Sequence, residues 1–346
     1  MIYFFILFFL VCCYGMKVSS FHKDFMSIET TTCIKGVFAV FILFSHIKGY
    51  LTLDLNNWED KGFVSILSYL GQLIVSVYFF YSGYGIFESV RKKNHYVKSF
   101  FRNRIFKTLV HFDLAVLLFL IVQSCLGNWF ETQNYVLCWV GWLSIGNSNW
   151  FIFDLLSVYL LTLGILYLRE VHPFSLPVAA TMVTLFSCAL WVFLRFAKTG
   201  EYWWYDTLLT FPAGMWFSCI LYSPLFDKII HRDWSRYSLV LIVSVFFVFW
   251  RHFWGIDQLG ICSILFALTV SLFSTHLKFG NQSLHWLGEH CFSIYILQRL
   301  PMIVFSHFGL AHSKYLFAGA VIPCTLLIAW GFTHFTNYLD IIIKKR

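Results

Sequence analysis

The stretch Lys35-Gly-Val-Phe-Ala-Val-Phe-Ile-Leu-Phe-Ser-His46 determines how this chain is interpreted, because it places two titratable side chains in one apolar run. A helix turns about 100° per residue, so Lys35 and His46 fall on nearly the same face, about 16 Å apart along the axis. Titratable groups are costly inside a bilayer and mark functional sites by default. The aligned pair is therefore the first candidate for a functional site, and a packed structural histidine is the alternative.

The composition predicts an all-α polytopic membrane protein with ten to eleven transmembrane helices. Of the 346 residues, 59% are hydrophobic and 12% are charged, which is about half the charged fraction of a soluble domain. Apolar runs close to 20 residues recur along the whole sequence. The basic residues concentrate in certain loops, so the net charge of +8 does not indicate nucleic acid. The ten cysteines show no CxxC or Cys/His spacing, so no metal site is predicted.

The apolar segments give the predicted organisation. We expect residues 1–27 to be an extra span or a mis-assigned start, followed by a cytoplasmic lead-in, because the first segment lacks a positive n-region. Residues 28–346 then form one membrane domain. The predicted spans are 2–16, 30–50, 63–87, 109–126, 150–168, 175–194, 203–222, 237–254, 258–275, 284–308 and 315–336.

The distribution of Lys and Arg predicts the orientation. One set of alternate loops holds 17 basic residues: 17–29, 88–108, 169–174, 223–236, 276–283 and 337–346. The other set holds 6 with Lys48 at a span end: 51–62, 127–149, 195–202, 251–257 and 309–314. Lys35 and Arg299 lie within spans. The positive-inside rule places the richer side in the cytoplasm, together with the C-terminal Lys344-Lys345-Arg346. We therefore expect a multi-pass protein of the cell inner (plasma) membrane with a cytoplasmic C-terminus.

Two further motifs precede the middle of the chain. In Val77-Tyr-Phe-Phe-Tyr-Ser-Gly-Tyr-Gly-Ile86, the small Ser82 and Gly83 allow close approach of a helix or a ligand. The stretch from Arg91 to Lys107 is basic with interleaved aromatic residues, which the positive-inside rule and anionic lipid contact can explain. The functional interpretation is a cytoplasmic anion site in which Arg102, Arg104 and Lys107 hold a phosphate-bearing donor.

Two motifs follow later in the chain. Trp150 begins a predicted span, and Asp154 lies about one turn inside it, either as a partner for a buried cation or as a substrate contact. In the stretch 287–301, Gly288 and Pro301 predict a broken helix with polar groups inside it, among them Tyr295 and Gln298.

Together, these five segments resemble the O-acetyltransferase-like integral membrane acyltransferases of the acyltransferase-3 family, from about residue 28 to about residue 303. The resemblance rests on Lys35 with His46, the aromatic Ser82-Gly83 span, the stretch 102–107, Trp150-Phe151, and the segment Ser293-Ile-Tyr295. The chain departs from the family pattern in three places. An acidic residue is replaced by Thr32, a proline after the Arg-rich motif is missing, and a His is replaced by Gln298.

The resemblance implies transfer of an acyl group, usually acetyl, from cytoplasmic acyl-CoA to a hydroxyl of an envelope carbohydrate or lipid-linked sugar. It implies acyl-CoA as the donor substrate and no bound cofactor. His46 would act as general base or as covalent acyl carrier, and Lys35 would stabilise donor charge or tune His46. The main alternative is a transporter or flippase of a lipid-linked sugar or another small molecule, which would also need intramembrane charges and broken helices.

Overall fold

The computed structural model describes residues 1–93, 95–255 and 260–345, with side chains through 342, and it is helical almost throughout. Asn94 and Arg346 lie outside the described residues, as does part of the loop 251–257 counted above. Two short strands, β1 (Lys17–Val18) and β2 (Leu277–Lys278), pair antiparallel. The α-helices are α1 (Ile2–Cys13), α2 (Ile28–Lys48), α3 (Trp58–Leu70), α4 (Leu73–Lys92), α5 (Tyr96–Phe100), α6 (Lys107–Cys125), α7 (Thr132–Leu137), α8 (Trp150–Val171), α9 (Leu176–Ala197), α10 (Thr210–Leu221), α11 (Pro224–His231), α12 (Asp233–Phe253), α13 (Ile261–Phe273), α14 (Gln282–Glu289), α15 (Cys291–Leu297), α16 (Arg299–His307) and α17 (Lys314–Lys345). A π-helical turn, Phe101–Phe106, joins α5 to α6, and 3-10 turns cover Tyr202–Trp204 and Leu310–His312.

The all-α prediction is confirmed, but the count of ten to eleven transmembrane helices is not. Among the described residues, seven helical stretches are long and apolar enough to cross a membrane. They are Ile28–Lys48, Trp58–Lys92, Tyr96–Cys125, Trp150–Val171, Leu176–Ala197, Asp233–Phe253 and Lys314–Ile342. Three shorter apolar helices, α1, α10 and α13, have 12 or 13 residues. Helices of that length reach only about 18–20 Å, which is less than the roughly 30 Å hydrocarbon core.

The segment predicted as a span over 284–308 is divided into three helices. α14 ends at Glu289, α15 begins at Cys291, and α16 follows from Arg299. The break that Gly288 and Pro301 predict is therefore present, although the helix ends fall at His290 and Gln298. Backbone groups freed at such breaks inside a membrane protein need polar partners or a cavity.

Contacts between distant segments agree with the two sets of loops defined by the charge count. On the side assigned to the cytoplasm, Lys278 lies 2.5 Å from the Asp24 carboxylate, and this ion pair lowers the pKa of Asp24 below its usual range. On the other side, the Lys314 ammonium lies 2.9 Å from Asp60. At the far end of α3, the Lys48 ammonium donates to the Ser68 hydroxyl at 3.4 Å. Because both ends of α3 contact this second side, α3 lies along it and α4 crosses the protein.

Helix α4 is held close to α10 by two glycines. A Cβ at Gly83 would lie 2.0 Å from the carbonyl oxygen of Phe211, and a Cβ at Gly214 would lie 2.0 Å from that of Phe80. Helices α2 and α14 cross in the same way, because a Cβ at Gly36 would lie 2.1 Å from the Leu284 oxygen. Small residues are the usual means of close helix packing in membranes. Gly83 therefore serves helix packing, and the adjacent Ser82 is free to face a different environment.

We expect Gly83→Ala to destabilise the protein, since its methyl group would overlap a backbone atom that a rotamer change cannot move. The cost of overpacking is typically about 1–3 kcal/mol. Thermal unfolding of the purified protein in detergent should show the lower stability. Gly85→Ala is the matched control on the same helix, because a Cβ there meets nothing within 4 Å. Equal melting temperatures for the two variants would contradict the packing role of Gly83.

Candidate functional site

A cavity of about 510 Å³ lies between α2, α4, α8, α15 and the π-helical turn. Its lining begins with Ser27, Lys92 and Lys93, which belong to the side assigned to the cytoplasm. It continues into the protein as far as Ile42 on α2 and Tyr295 on α15. The cavity is therefore a pocket that opens among basic residues and extends into the apolar interior.

Lys35 lies in the wall of this cavity and is carried by α2. The helix begins after Ser27, whose hydroxyl accepts the Thr30 amide at 3.1 Å, and it continues unbroken to Lys48. The Tyr78 hydroxyl donates to the Lys35 carbonyl at 2.7 Å, which fixes α4 against this part of α2. The Lys35 ammonium makes no hydrogen bond or ion pair with the residues that the structure describes. It is thus available to an anionic ligand in the cavity.

The three predicted donor-binding residues lie in different places. Arg104 is half-buried in the cavity wall, where its Nε donates to the Tyr96 hydroxyl at 3.3 Å. Arg102 is exposed and is not in the cavity lining. The Lys107 ammonium lies 2.5 Å from the Asp340 carboxylate, which the His111 ring also contacts at 3.3 Å. Of this group, only Arg104 is brought to the cavity.

Ser82 also lines the cavity, and its hydroxyl lies 2.7 Å from the hydroxyl of Tyr159 on α8. Ser82 therefore forms part of the polar cavity wall, while Gly83 allows close packing against α10. Trp150 stands at the start of α8 outside the cavity lining, with its ring edge-on to Phe151 at 6.1 Å between centroids. The Phe151 ring packs against Tyr295 at 5.2 Å and forms part of the cavity wall.

His46 does not line the cavity with Lys35, although both lie on α2. Ile42, one helical turn before His46, lines its inner end. Likewise, Tyr295 lines the cavity and Arg299 follows four residues later. The Arg299 guanidinium acts electrostatically on the His46 imidazole, which is partly accessible. His46 and Arg299 thus form a polar layer about one turn beyond the inner end of the cavity.

Several buried polar atoms near this layer have no partner among the described residues. Both oxygens of the fully buried Asp154 are unpaired, as are the Tyr295 hydroxyl and Oε1 of Gln298. The Gln298 amide donates only to the Tyr295 carbonyl, at 3.3 Å. Burying such groups without hydrogen bonds costs about 1–3 kcal/mol each in proteins. A polar ligand bound beside this layer would supply partners for such atoms.

Sequence reasoning missed Glu88, which stands at the basic end of the cavity. Its carboxylate lies 2.7 Å from Arg91 Nη1 and 2.9 Å from the Lys92 ammonium, and it accepts from the Tyr222 hydroxyl at 2.8 Å. The i,i+3 and i,i+4 spacing of Glu88 with Arg91 and Lys92 is a signal that could have found it. Among residues 1–93, 95–255 and 260–345, no cluster of three His, Cys, Asp or Glu side chains could hold a metal ion.

Comparison with known proteins adds one positive finding. The family model described as "Acyltransferase domain", that of the acyltransferase-3 family, matches residues 31–334. The match includes α2 from residue 31 onward, most of the cavity lining, the π-helical turn and the His46–Arg299 layer. No curated protein sequence and no solved structure matches the chain.

Proposed function

Because the chain belongs to the acyltransferase-3 family and is a membrane acyltransferase, we propose that it transfers an acetyl group from cytoplasmic acyl-CoA to a hydroxyl of a cell-envelope carbohydrate. The observation that carries this proposal is the cavity that opens among Lys92, Lys93 and Arg104 and ends one helical turn from His46. The position of a donor site on one side of His46 leaves its other side open to an acceptor.

The donor side of the proposal rests on charge and shape. Acyl-CoA carries phosphates at one end and a long, slender arm that ends in the thioester. Lys92 and Arg104 supply cationic groups at and near the cavity mouth, while Tyr78 and Phe151 line the interior with aromatic surface. The unpaired Lys35 ammonium lies between these regions. We assign the phosphates to the basic end, with further help from the exposed arginine of the π-helical turn, and the thioester to the inner end of the cavity.

The chemical step needs a group that can take a proton from the acceptor hydroxyl. Imidazole is suited to this task near neutral pH, and His46 is the imidazole adjacent to the inner end of the cavity. In the first mechanism, His46 is a general base while the hydroxyl attacks the thioester carbonyl. In the second, His46 first accepts the acyl group and then passes it to the hydroxyl.

The direction of transfer follows from the proposed orientation in the plasma membrane. On a background without the ten native cysteines, a cysteine at the exposed Asn56 should react with an impermeant thiol reagent in intact cells. A cysteine at the exposed Lys93, next to Asn94, should react only after permeabilisation. Labelling at position 93 in intact cells would reverse the orientation and place the donor cavity on the wrong side of the membrane.

The function itself is tested with purified protein in lipid nanodiscs. We expect release of CoA from acetyl-CoA and transfer of labelled acetyl to glycan extracted from the source cell envelope, both measured by mass spectrometry. His46→Ala protein prepared in the same way controls for contaminating hydrolases. Movement of glycan across vesicle membranes without any release of CoA would instead support the transporter alternative.

A further inference from the structure

A second cavity, of about 330 Å³, lies on the opposite side of the His46–Arg299 layer from the donor cavity. It is lined by Tyr50, Gln123, Asn128, Gly146, Ser306 and His307, together with Ile303. Amides, hydroxyls and an imidazole therefore surround it, and no Lys or Arg of the described part of the chain is in its lining. These residues define the polar pocket.

The sequence positions of the lining residues place the polar pocket beyond His46 and Arg299. Tyr50 lies in the turn two residues after the end of α2, and Ile303 lies one turn after Arg299 on α16, so both lie further from the donor cavity. Gly146 precedes Asn147, whose carbonyl accepts from Arg299 Nη1 at 3.4 Å. On the other side, Ile42 and Tyr295 stand one turn before His46 and Arg299 and line the donor cavity. The layer thus separates two cavities of different chemistry.

Polar donors also lie at the layer beside the polar pocket, although their residues are not in its lining. Asn147 Nδ2, Ser148 Oγ and Arg299 Nε are buried and have no hydrogen-bond partner among the described residues. Asn147 and Ser148 are only 2% and 4% exposed. Buried polar groups in native proteins are normally paired, and these three donors lie at the layer between the two cavities.

The rim of the polar pocket is fixed in advance. The Gln123 amide donates to the Ile145 carbonyl at 2.9 Å, and its oxygen accepts from Asn128 Nδ2 at 2.7 Å. Gly146 has a φ of +98°, and a Cβ there would lie 2.5 Å from Gln123 Nε2. Glycine is therefore favoured at this position, because a φ of +98° is strained for any other residue and an added Cβ would displace the Gln123 amide. The pocket wall is a preorganised surface, as a specific binding site needs.

We propose that the polar pocket is the acceptor site and that it binds a polyhydroxylated ligand, a carbohydrate, through amide and hydroxyl contacts. This inference rests on the proposed acyl transfer and extends it to named acceptor residues. One acceptor hydroxyl reaches His46 from the side opposite the thioester. In the general-base mechanism, a bond forms between the hydroxyl oxygen and the acyl carbon, and the carbon–sulfur bond of the thioester breaks. The hydroxyl proton moves to the His46 imidazole and then to the departing thiolate, which leaves as CoA thiol.

The test fills the pocket and follows donor and acceptor separately. Ser306→Trp places an indole in the polar pocket, and Ser313→Trp places one on the exposed surface of the same side as a matched control. CoA binding is measured by calorimetry in nanodiscs. Acetyl transfer is measured from acetyl-CoA to glycan extracted from the source cell envelope. We expect Ser306→Trp to lower transfer at least tenfold with an unchanged Kd for CoA, while Ser313→Trp behaves as wild type.

A second variant guards against a folding defect. Asn128→Ala removes one amide from the rim without adding bulk, and we expect it to raise the apparent KM for the glycan severalfold while the KM for acetyl-CoA stays constant. Wild-type transfer by Ser306→Trp would overturn the acceptor assignment, and so would an unchanged glycan KM in Asn128→Ala. Failure of the wild type to bind CoA or to release it from acetyl-CoA is a different result, because it would overturn the proposed function and this inference with it.

Discussion

Replacing His46 by alanine is expected to lower acyl transfer by about 10²–10⁴-fold, the usual contribution of general acid–base catalysis. The physical reason is the position of the His46 imidazole relative to the donor cavity. His46 lies one turn beyond the inner end of the donor cavity and beside Arg299, where a thioester and a hydroxyl could meet. The measurement is the rate of acetyl transfer by the purified variant, with its expression and melting temperature recorded in parallel. The KM for acetyl-CoA should change little, because the phosphates bind at the other end of the cavity.

His111 provides the matched control for this experiment. It is also an intramembrane histidine, but its ring contacts Asp340 at 3.3 Å and does not line either cavity. His111→Gln should therefore alter stability more than turnover. If His46→Ala retains wild-type turnover, the catalytic role assigned to His46 is wrong. For the wild-type protein, rapid-quench labelling with radioactive acetyl-CoA separates the two mechanisms. In the absence of acceptor, only the acyl-carrier mechanism leaves label covalently attached to His46.

The sequence predicted those parts of the architecture that depend on interactions between residues close together in the chain. Helix α2 extends from Ile28 to Lys48 because an N-capping serine and a continuous apolar run specify it, and eleven residues then set the offset of Lys35 and His46. The number of spans was less predictable. Helices α10 and α13 are as apolar as true spans, yet turns end them after 12 and 13 residues, and hydropathy alone does not report those ends.

The candidate site also contains features that the sequence predicts and features that it does not. A pattern of charges identifies a basic stretch, but it does not say which side chain turns inward. Arg102 and Arg104 are two residues apart, so a helical turn directs them to nearly opposite sides, and here Arg104 lies in the cavity wall while Arg102 is exposed. Lys107 lies 2.5 Å from Asp340, and sequence reasoning could not foresee this long-range pair. The polar pocket was equally hidden, because its lining comes from four separate parts of the chain.

Arg104→Gln is expected to raise the KM for acetyl-CoA by about tenfold or more while leaving the KM for the glycan unchanged. One charge-assisted hydrogen bond contributes about 1.5–3 kcal/mol, and each 1.4 kcal/mol is a factor of about ten in affinity. The half-buried position of Arg104 in the cavity wall keeps its charge partly shielded from solvent. Steady-state kinetics with each substrate varied in turn give the two KM values.

Variants of two other cationic residues, Arg102 and Lys228, serve as comparisons for the Arg104 variant. Arg102→Gln should raise the donor KM only about two- to threefold, because an exposed charge is screened by water and salt. Lys228→Gln, at an exposed position of α11 on the same side of the protein, should have no effect on it. A donor KM that responds equally to all three changes would mean that the donor senses net positive charge alone. A larger effect at Arg104 than at Arg102 places the donor phosphates inside the cavity, because only there does one guanidinium meet the ligand directly.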